Sequence, residues 1–156
     1  TEVRQPVENH LRLDNRKADK LGLSIPAGKW RVWARRKGAP PTLTGEVMSR
    51  AVAPEDTLDL LTGEALDVSA RRSRVLVGRE RNERKEWAPI VEWKLEWTNA
   101  RTEAADVVWT EPLSMNWQVL ASEGGDRTVG PNQVRLMGTI PPGQKRVFMV
   151  RVKVNP

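Results

Sequence analysis

Hydrophobic and polar positions alternate with a period of two over most of this chain, the mark of strands with one dry and one wet face. The pattern is sharpest at 91–97, where Val91, Trp93, Leu95 and Trp97 alternate with Glu92, Lys94 and Glu96. Two tryptophans on the dry side predict that this stretch is the heaviest part of the core. Residues 3–13 read as a first strand, with Val7, Asn9, Leu11 and Leu13 on one side and Glu8, His10 and Arg12 on the other. Pro6 near its start favours a sheet edge. Lys29 to Arg36 alternates again, with Trp30, Val32 and Ala34 opposite Arg31, Trp33 and Arg35. Trp33 is expected to be covered by another segment, since a free exposed Trp is uncommon; the other reading is a half-exposed ring stacked by arginines.

Thr42 to Val52 reads as the partner of that strand, with Leu43 and Val47 inward. Thr57 to Leu61 follows, closed by a tight turn at Leu61-Thr62-Gly63-Glu64. Asp67 to Gly78 is extended, and its apolar phase slips around Arg71 to Arg74, which predicts a β-bulge there. Further strands are expected at Ala105–Thr110, Asn116–Ser122, Val134–Met137 and Lys145–Val154. Glu123-Gly124-Gly125-Asp126 reads as a flexible turn and Ile140-Pro141-Pro142-Gly143 as a rigid corner.

No window shows helical spacing. Short strands punctuated by turns predict an all-β fold, an immunoglobulin-like antiparallel β-sandwich. Its expected core is Trp93, Leu95, Trp97, Trp109, Trp117, Phe148 and Val150. The chain reads as a single all-β unit over 1–156. The charged stretch 79–86 leaves a second organisation open, a β-region 1–80 and a sandwich 86–156.

Composition narrows the chemistry. With 7 Trp, 1 Phe and no Tyr among 156 residues, tryptophan dominates the buried area. Cysteine is absent, which excludes disulfides and thiolate metal sites. The longest apolar run, Val147 to Val150, is far short of a membrane span. The net charge of +6 invites phosphate or anionic-surface partners, but 20 acidic residues are mixed in along the sequence. A solvated surface of both signs is the simpler reading. The chain starts at Thr1, which reads as a processed protein or a piece of a longer one.

The order of turns and strands resembles the domain of unknown function numbered 4139, found at the C-terminal end of mucoidy-inhibitor-A-like proteins. The residues that carry the likeness are Leu13-Asp14-Asn15, Leu21-Gly22-Leu23-Ser24-Ile25-Pro26-Ala27-Gly28-Lys29-Trp30-Arg31-Val32-Trp33, Leu43-Thr44-Gly45-Glu46 and Leu61-Thr62-Gly63-Glu64-Ala65-Leu66-Asp67-Val68. They continue with Leu95-Glu96-Trp97-Thr98-Asn99, Glu111-Pro112-Leu113 ahead of Trp117, and Ile140-Pro141-Pro142-Gly143. The resemblance runs over about residues 11–155. It implies a β-rich domain ending in an immunoglobulin-like sandwich and implies no catalytic residue. The longer N-terminal region of that family, with its helical part, is not in this sequence.

Recognisable chemistry is scarce. His10 is the one histidine, and a Ser-His-Asp triad would need the fold to bring Ser and Asp to it. One histidine with no cysteine does not make a zinc site. Glu55, Asp56 and Asp59 could hold calcium only with carbonyl help, and a turn beside a wet strand face explains them more simply. Glu92 and Glu96 flank Lys94, as cross-strand ion pairing requires. Gly124-Gly125 is isolated and precedes Asp126, a poor neighbour for phosphate. The best anion-binding candidates are Arg71, Arg72, Arg74, Arg79, Arg81, Arg84 and Lys85, with Trp87 nearby, although Glu80, Glu83 and Glu86 interrupt the field.

These readings converge on a non-enzymatic structural or protein-interaction module with no cofactor, no metal, no catalytic residue and no membrane span. It is expected outside the cytoplasm, in the cell envelope or secreted. Its partners would be other proteins or copies of itself, up to a filament, met by sheet-edge pairing through the N-terminal strand 1–13, which holds Val7, Asn9, Leu11 and Leu13. The alternative is a basic nucleic-acid or anionic-surface binder acting through 71–85.

Overall fold

The computed structural model describes residues 2–35, 37–81, 85–114 and 116–155. The strands are β1 (Glu2–Gln5), β2 (Glu8–Asp14), β3 (Gly28–Ala34), β4 (Thr42–Ser49), β5 (Thr57–Glu64) and β6 (Val68–Arg81). They continue as β7 (Trp87–Asn99), β8 (Ala105–Pro112), β9 (Trp117–Glu123), β10 (Asp126–Gly130), β11 (Gln133–Ile140) and β12 (Lys145–Val154). A 3-10 turn at Lys17–Asp19 is the one helical element among the described residues. All pairing is antiparallel and no sheet closes on itself. Among the described residues no helix is long and apolar enough to cross a membrane.

The chain forms two compact units, residues 1–6 with 66–156, and residues 7–65. In the larger unit a five-stranded sheet runs β1-β6-β7-β12-β9 and a three-stranded sheet runs β10-β11-β8. The alternation at Val91–Trp97 does what it predicts: Val91, Trp93, Leu95 and Trp97 are all buried on β7. Their cross-strand partners on β12 are Val152, Val150, Phe148 and Arg146, so β12 supplies the rest of the same row. Val107 and Trp109 are buried on β8, and Val134, Leu136 and Ile140 on β11. Of the expected core only Trp117 is half-buried; it lies at the start of β9 with its ring centroid 5.0 Å from that of Trp93.

One buried asparagine fixes the corner of this unit. Asn99 Nδ2 donates to the carbonyls of Glu103, Ile140 and Pro141 at 2.8, 3.0 and 3.2 Å, while its Oδ1 accepts the Arg101 N–H at 2.9 Å. The corner 140–143 is a tight turn, Gln144 N–H donating to Pro141 C=O at 3.2 Å around a left-handed Gly143 at φ 66°. Pro142 fixes φ before the glycine, as this kind of turn requires.

In the smaller unit β2 pairs with β5 and β3 with β4. Val52, Leu58 and Leu60 form the core, with Ile25, Trp30, Val32 and Val47 against them. Asn15 is the counterpart of Asn99. Its Nδ2 donates to Leu23 and Ala53 carbonyls at 2.7 and 2.9 Å, and its Oδ1 accepts Gly22 N–H at 2.9 Å. Gly22 has φ 85°, and a Cβ there would meet the Lys17 backbone at 2.9 Å.

Several expectations are corrected. The segment 3–13 is two strands in different units, because Pro6 has no N–H to give a ladder and the chain leaves one sheet for another there. The strand from Thr57 continues through Glu64 instead of turning at 61–64, with a register shift between Asn9 and His10 that absorbs the extra residue. In β6 no shift occurs at 71–74; the bulge lies between Leu76 and Gly78. Trp33 is 56% exposed and its partner Leu43 is exposed too. Trp33 lies opposite Trp30 and Val32 by simple alternation, and a register shift between Val32 and Trp33 puts Leu43 beside it, out of phase with Val47. The short strand at 134–137 is longer, 133–140, because β8 continues to pair with it through Gly138, Thr139 and Ile140, beyond the stretch it shares with β10.

Candidate interaction surface

The arginines of 71–81 lie on β6, whose phase divides them. Val68, Ala70, Arg72 and Arg74 pair with Asn99, Trp97, Leu95 and Trp93 on the core-facing row, while Arg71 belongs to the other face. Arg72 and Arg74 place their guanidinium carbons 5.7 and 5.6 Å from the Trp93 ring centroid. That is cation–π distance, and it covers the end of an indole with no hydrogen-bond partner for its N–H. Arg72 also reaches across to β8 and forms an ion pair with buried Glu111. Trp109 Nε1 donates to the other Glu111 oxygen at 3.2 Å. Burial pushes the Glu111 carboxyl above its ordinary range, opposed first by the charge of Arg72.

The remaining cations are placed differently. Arg71 pairs with Glu2 of β1 at 3.4 Å. Arg81 sits 5.1 Å from the ring of Trp87, its partner in the ladder, and that ring is 58% exposed. Arg79 and Lys85 are exposed, and Arg84 lies outside the described residues. Of the charged stretch 79–86, the described residues 79–81 close β6 and 85–86 lie just ahead of β7. Arg71, Arg72 and Arg74 are engaged within the fold; Arg79, Arg81 and Lys85 face solvent near an exposed tryptophan.

The outer face of the same sheet carries ion pairs across strands. Glu92 accepts from Arg151 at 2.6 and 3.1 Å and pairs with Lys94 at 3.1 Å. The alternation places Glu92 on a wet face, yet only 6% of it is exposed, enclosed by those cations. The Arg151 hydrogen bonds hold its carboxyl below the ordinary range. Lys145 pairs with Glu96 at 3.0 Å and Lys153 with Glu80 at 3.2 Å.

The edges matter most for pairing with other molecules. β1 is one edge of the five-stranded sheet, and its four residues pair only with Ala70 to Ser73. β6 has 14 residues, so its stretch from Arg74 to Arg81 has a strand on the β7 side and none among the described residues on the other. Val75, Leu76 and Val77 along that free edge are 51, 54 and 44% exposed. The other residues of the expected interaction strand lie in the smaller unit. Val7 C=O accepts Ala65 N–H at 2.7 Å, Asn9 C=O accepts the Thr62 hydroxyl at 3.1 Å, and Leu11 and Leu13 are half-exposed opposite Leu60 and Leu58.

His10 is on the surface of the smaller unit, its Nδ1 2.7 Å from Asp59 Oδ1 and its Nε2 3.4 Å from Glu8. Both nitrogens face carboxylates, and the Asp59 hydrogen bond raises its pKa above the ordinary value. Glu55 instead accepts Lys17 N–H at 3.1 Å, and Asp56 accepts Thr57 N–H at 2.9 Å. Among the described residues no three acidic or His side chains gather as a metal site. A shallow concavity of about 480 Å³ is lined by Gly124, Gly125, Asp126, Gly138, Thr139 and Arg146. Its glycines are there for close passage: a Cβ on Gly124 would collide with Val147 O, and one on Gly125 would lie 2.5 Å from Met137 O.

Sequence reading missed Glu111, Asn15 and Asn99. The signal for Glu111 was present, since it shares the phase of Val107 and Trp109. No family model matches the chain, and no curated protein or solved structure matches it, so the resemblance to the domain of unknown function rests on the residues quoted for it.

Proposed function

We propose that this chain is a non-enzymatic structural or protein-interaction module that works through its sheet edges, with β1 as an exchangeable strand. The observation that carries the reading is the mismatch of β1 and β6: four residues cover the start of a 14-residue neighbour. So short an edge strand, with three of its four residues exposed, is held by few contacts and is easily given up to a second molecule. Strand exchange between copies would build oligomers or open filaments. The finer fold assigned to the larger unit is an immunoglobulin-like sandwich of its two sheets. Support comes from the Arg72–Glu111 pair between them and from the family likeness. That likeness is also the basis for a location outside the cytoplasm.

Deleting residues 1–5 leaves the smaller unit whole and removes β1. The expected result in analytical ultracentrifugation is that the intact chain self-associates with concentration and the shortened chain stays monomeric. Equal assembly of both, or none by either, overturns the reading. A second reading, an anionic-surface or nucleic-acid binder at the hairpin end, is favoured by exposed Trp87 beside Arg81, a stacking ring with a cation. It predicts oligonucleotide binding that weakens steeply with salt.

A further inference from the structure

We infer that the free edge of β6, from Val75 to Arg81, is a docking site for an extended acidic and apolar segment of another protein, added as a strand in line with β1. The inference deepens the edge-pairing reading and rests on it.

β1 supplies the template. It approaches β6 antiparallel, Glu2 opposite Ser73 and Val3 opposite Arg72, and Glu2 sends its carboxylate to Arg71. An acid next to an apolar residue is thus accepted at this end of β1, with Arg4 and Gln5 following opposite Arg71 and Ala70. Beyond Ser73 the edge offers the same chemistry with no strand among the described residues to use it. Val75 and Leu76 are exposed on opposite faces, Val77 is exposed at the bulge, and Arg79 and Arg81 follow. The acid in this stretch, Glu80, is taken by Lys153 at 3.2 Å, so the charge left for a partner is positive.

Natural edges are guarded by charged side chains and bulges, which discourage indiscriminate pairing. β6 has both, the arginines and the bulge between Leu76 and Gly78. A neutral apolar strand would leave those guanidinium groups desolvated without a partner. An acidic strand pairs with them and gains the main-chain hydrogen bonds of the edge, as in β-augmentation. The bulge restricts the register, because a residue added past Leu76 has to follow its offset.

The test uses the full chain and a blocked peptide of about seven residues alternating Val and Glu, with a Val and Lys peptide as control. Binding is followed by fluorescence anisotropy and backbone amide exchange. The expected result is saturable binding of the acidic peptide alone, with new protection within 75–81. In the double variant R79E/R81E the acidic peptide should bind at least tenfold more weakly and the Lys peptide should bind instead, a gain that a misfolded variant cannot give. No saturable binding, protection elsewhere, or unchanged affinity in the variant overturns the inference. A single-stranded oligonucleotide that binds while the acidic peptide does not also overturns it, as does protection of 75–81 by a second copy alone. The same titration set beside the ultracentrifugation of the intact chain separates the two ideas. Peptide binding without self-association keeps this site and removes strand exchange; self-association without peptide binding does the reverse.

Discussion

Arg72 on β6 and Glu111 on β8 form an ion pair between the two sheets of the larger unit, with the acid buried and the arginine one-third exposed. The exposed end of Arg72 lowers the cost of bringing a charge to Glu111, and Trp109 supplies the second oxygen with a donor. Such a pair is weak evidence of net stability, but losing one member is costly.

Arg72→Met should destabilise the larger unit by about 3–5 kcal/mol in denaturant unfolding at neutral pH, because it leaves a buried carboxylate uncompensated. The double change Arg72→Met with Glu111→Leu should recover most of that loss. Glu111 also sets a pH trend. Its folded pKa is raised, so the folded state binds the proton more tightly than the unfolded chain. Its contribution is fully present below the ordinary Glu range and is lost as pH rises through the folded value. Wild-type stability relative to E111Q should therefore fall from about pH 4 upward; a difference that stays flat or rises contradicts the assignment.

Asn99 donates to three carbonyls and accepts one N–H in a site with no solvent access. Asn99→Ala should cost about 2–4 kcal/mol. Asn99→Asp should fare no better, since a carboxylate has no hydrogen to offer those carbonyls. The local signature is faster amide exchange at Arg101. Asn15→Ala should give the matching result at Gly22 in the smaller unit.

Gly124 has φ 91°, and its missing side chain leaves room for the carbonyl of Val147. Gly124→Ala should cost about 3 kcal/mol or more, from backbone strain and a collision with main chain together. Gly28→Ala is the control. Nothing lies within 4 Å of a Cβ there, so thermal unfolding should move little.

His10 should titrate above its ordinary value by NMR, and Asp59→Asn should bring it down, since the Asp59 hydrogen bond is the largest cause. The stabilisation it gives is present below the ordinary His range and disappears as pH rises through the folded value. The pair is exposed, so the effect should stay below about 1 kcal/mol. An unchanged shift in the Asp59→Asn variant would contradict this account.

The all-β class was legible because period two recurs with few interruptions, and Trp93, Leu95, Trp97, Trp109, Phe148 and Val150 lie where it places them. Register was not legible. A shift of one residue reverses every later side chain, and nothing local to Val32-Trp33 or Leu76-Val77-Gly78 announces one. That is why Leu43 reads as inward; Trp33 reads as covered from the other face, and cover depends on neighbours its own strand does not reveal. Partner identity was equally hidden: Arg72 and Arg74 read as part of a basic run, and only the placement of β7 and β8 turns them toward Trp93 and Glu111. The two asparagines stand within turn motifs, but their bonds run to segments as many as 42 residues away.

The path of the chain between β1 and β6 carries a thermodynamic consequence. Closing a connection of about sixty residues to set Gln5 beside Ala70 costs roughly 3–4 kcal/mol of entropy when that connection is random coil. Once residues 7–65 fold, Val7 and Ala65 are joined by a hydrogen bond and the two chain ends emerge side by side. The long excursion then costs only the entropy of closing a short loop. A lesion at Asn15 would therefore be felt beyond its own unit, as a looser tether on the terminal ribbon.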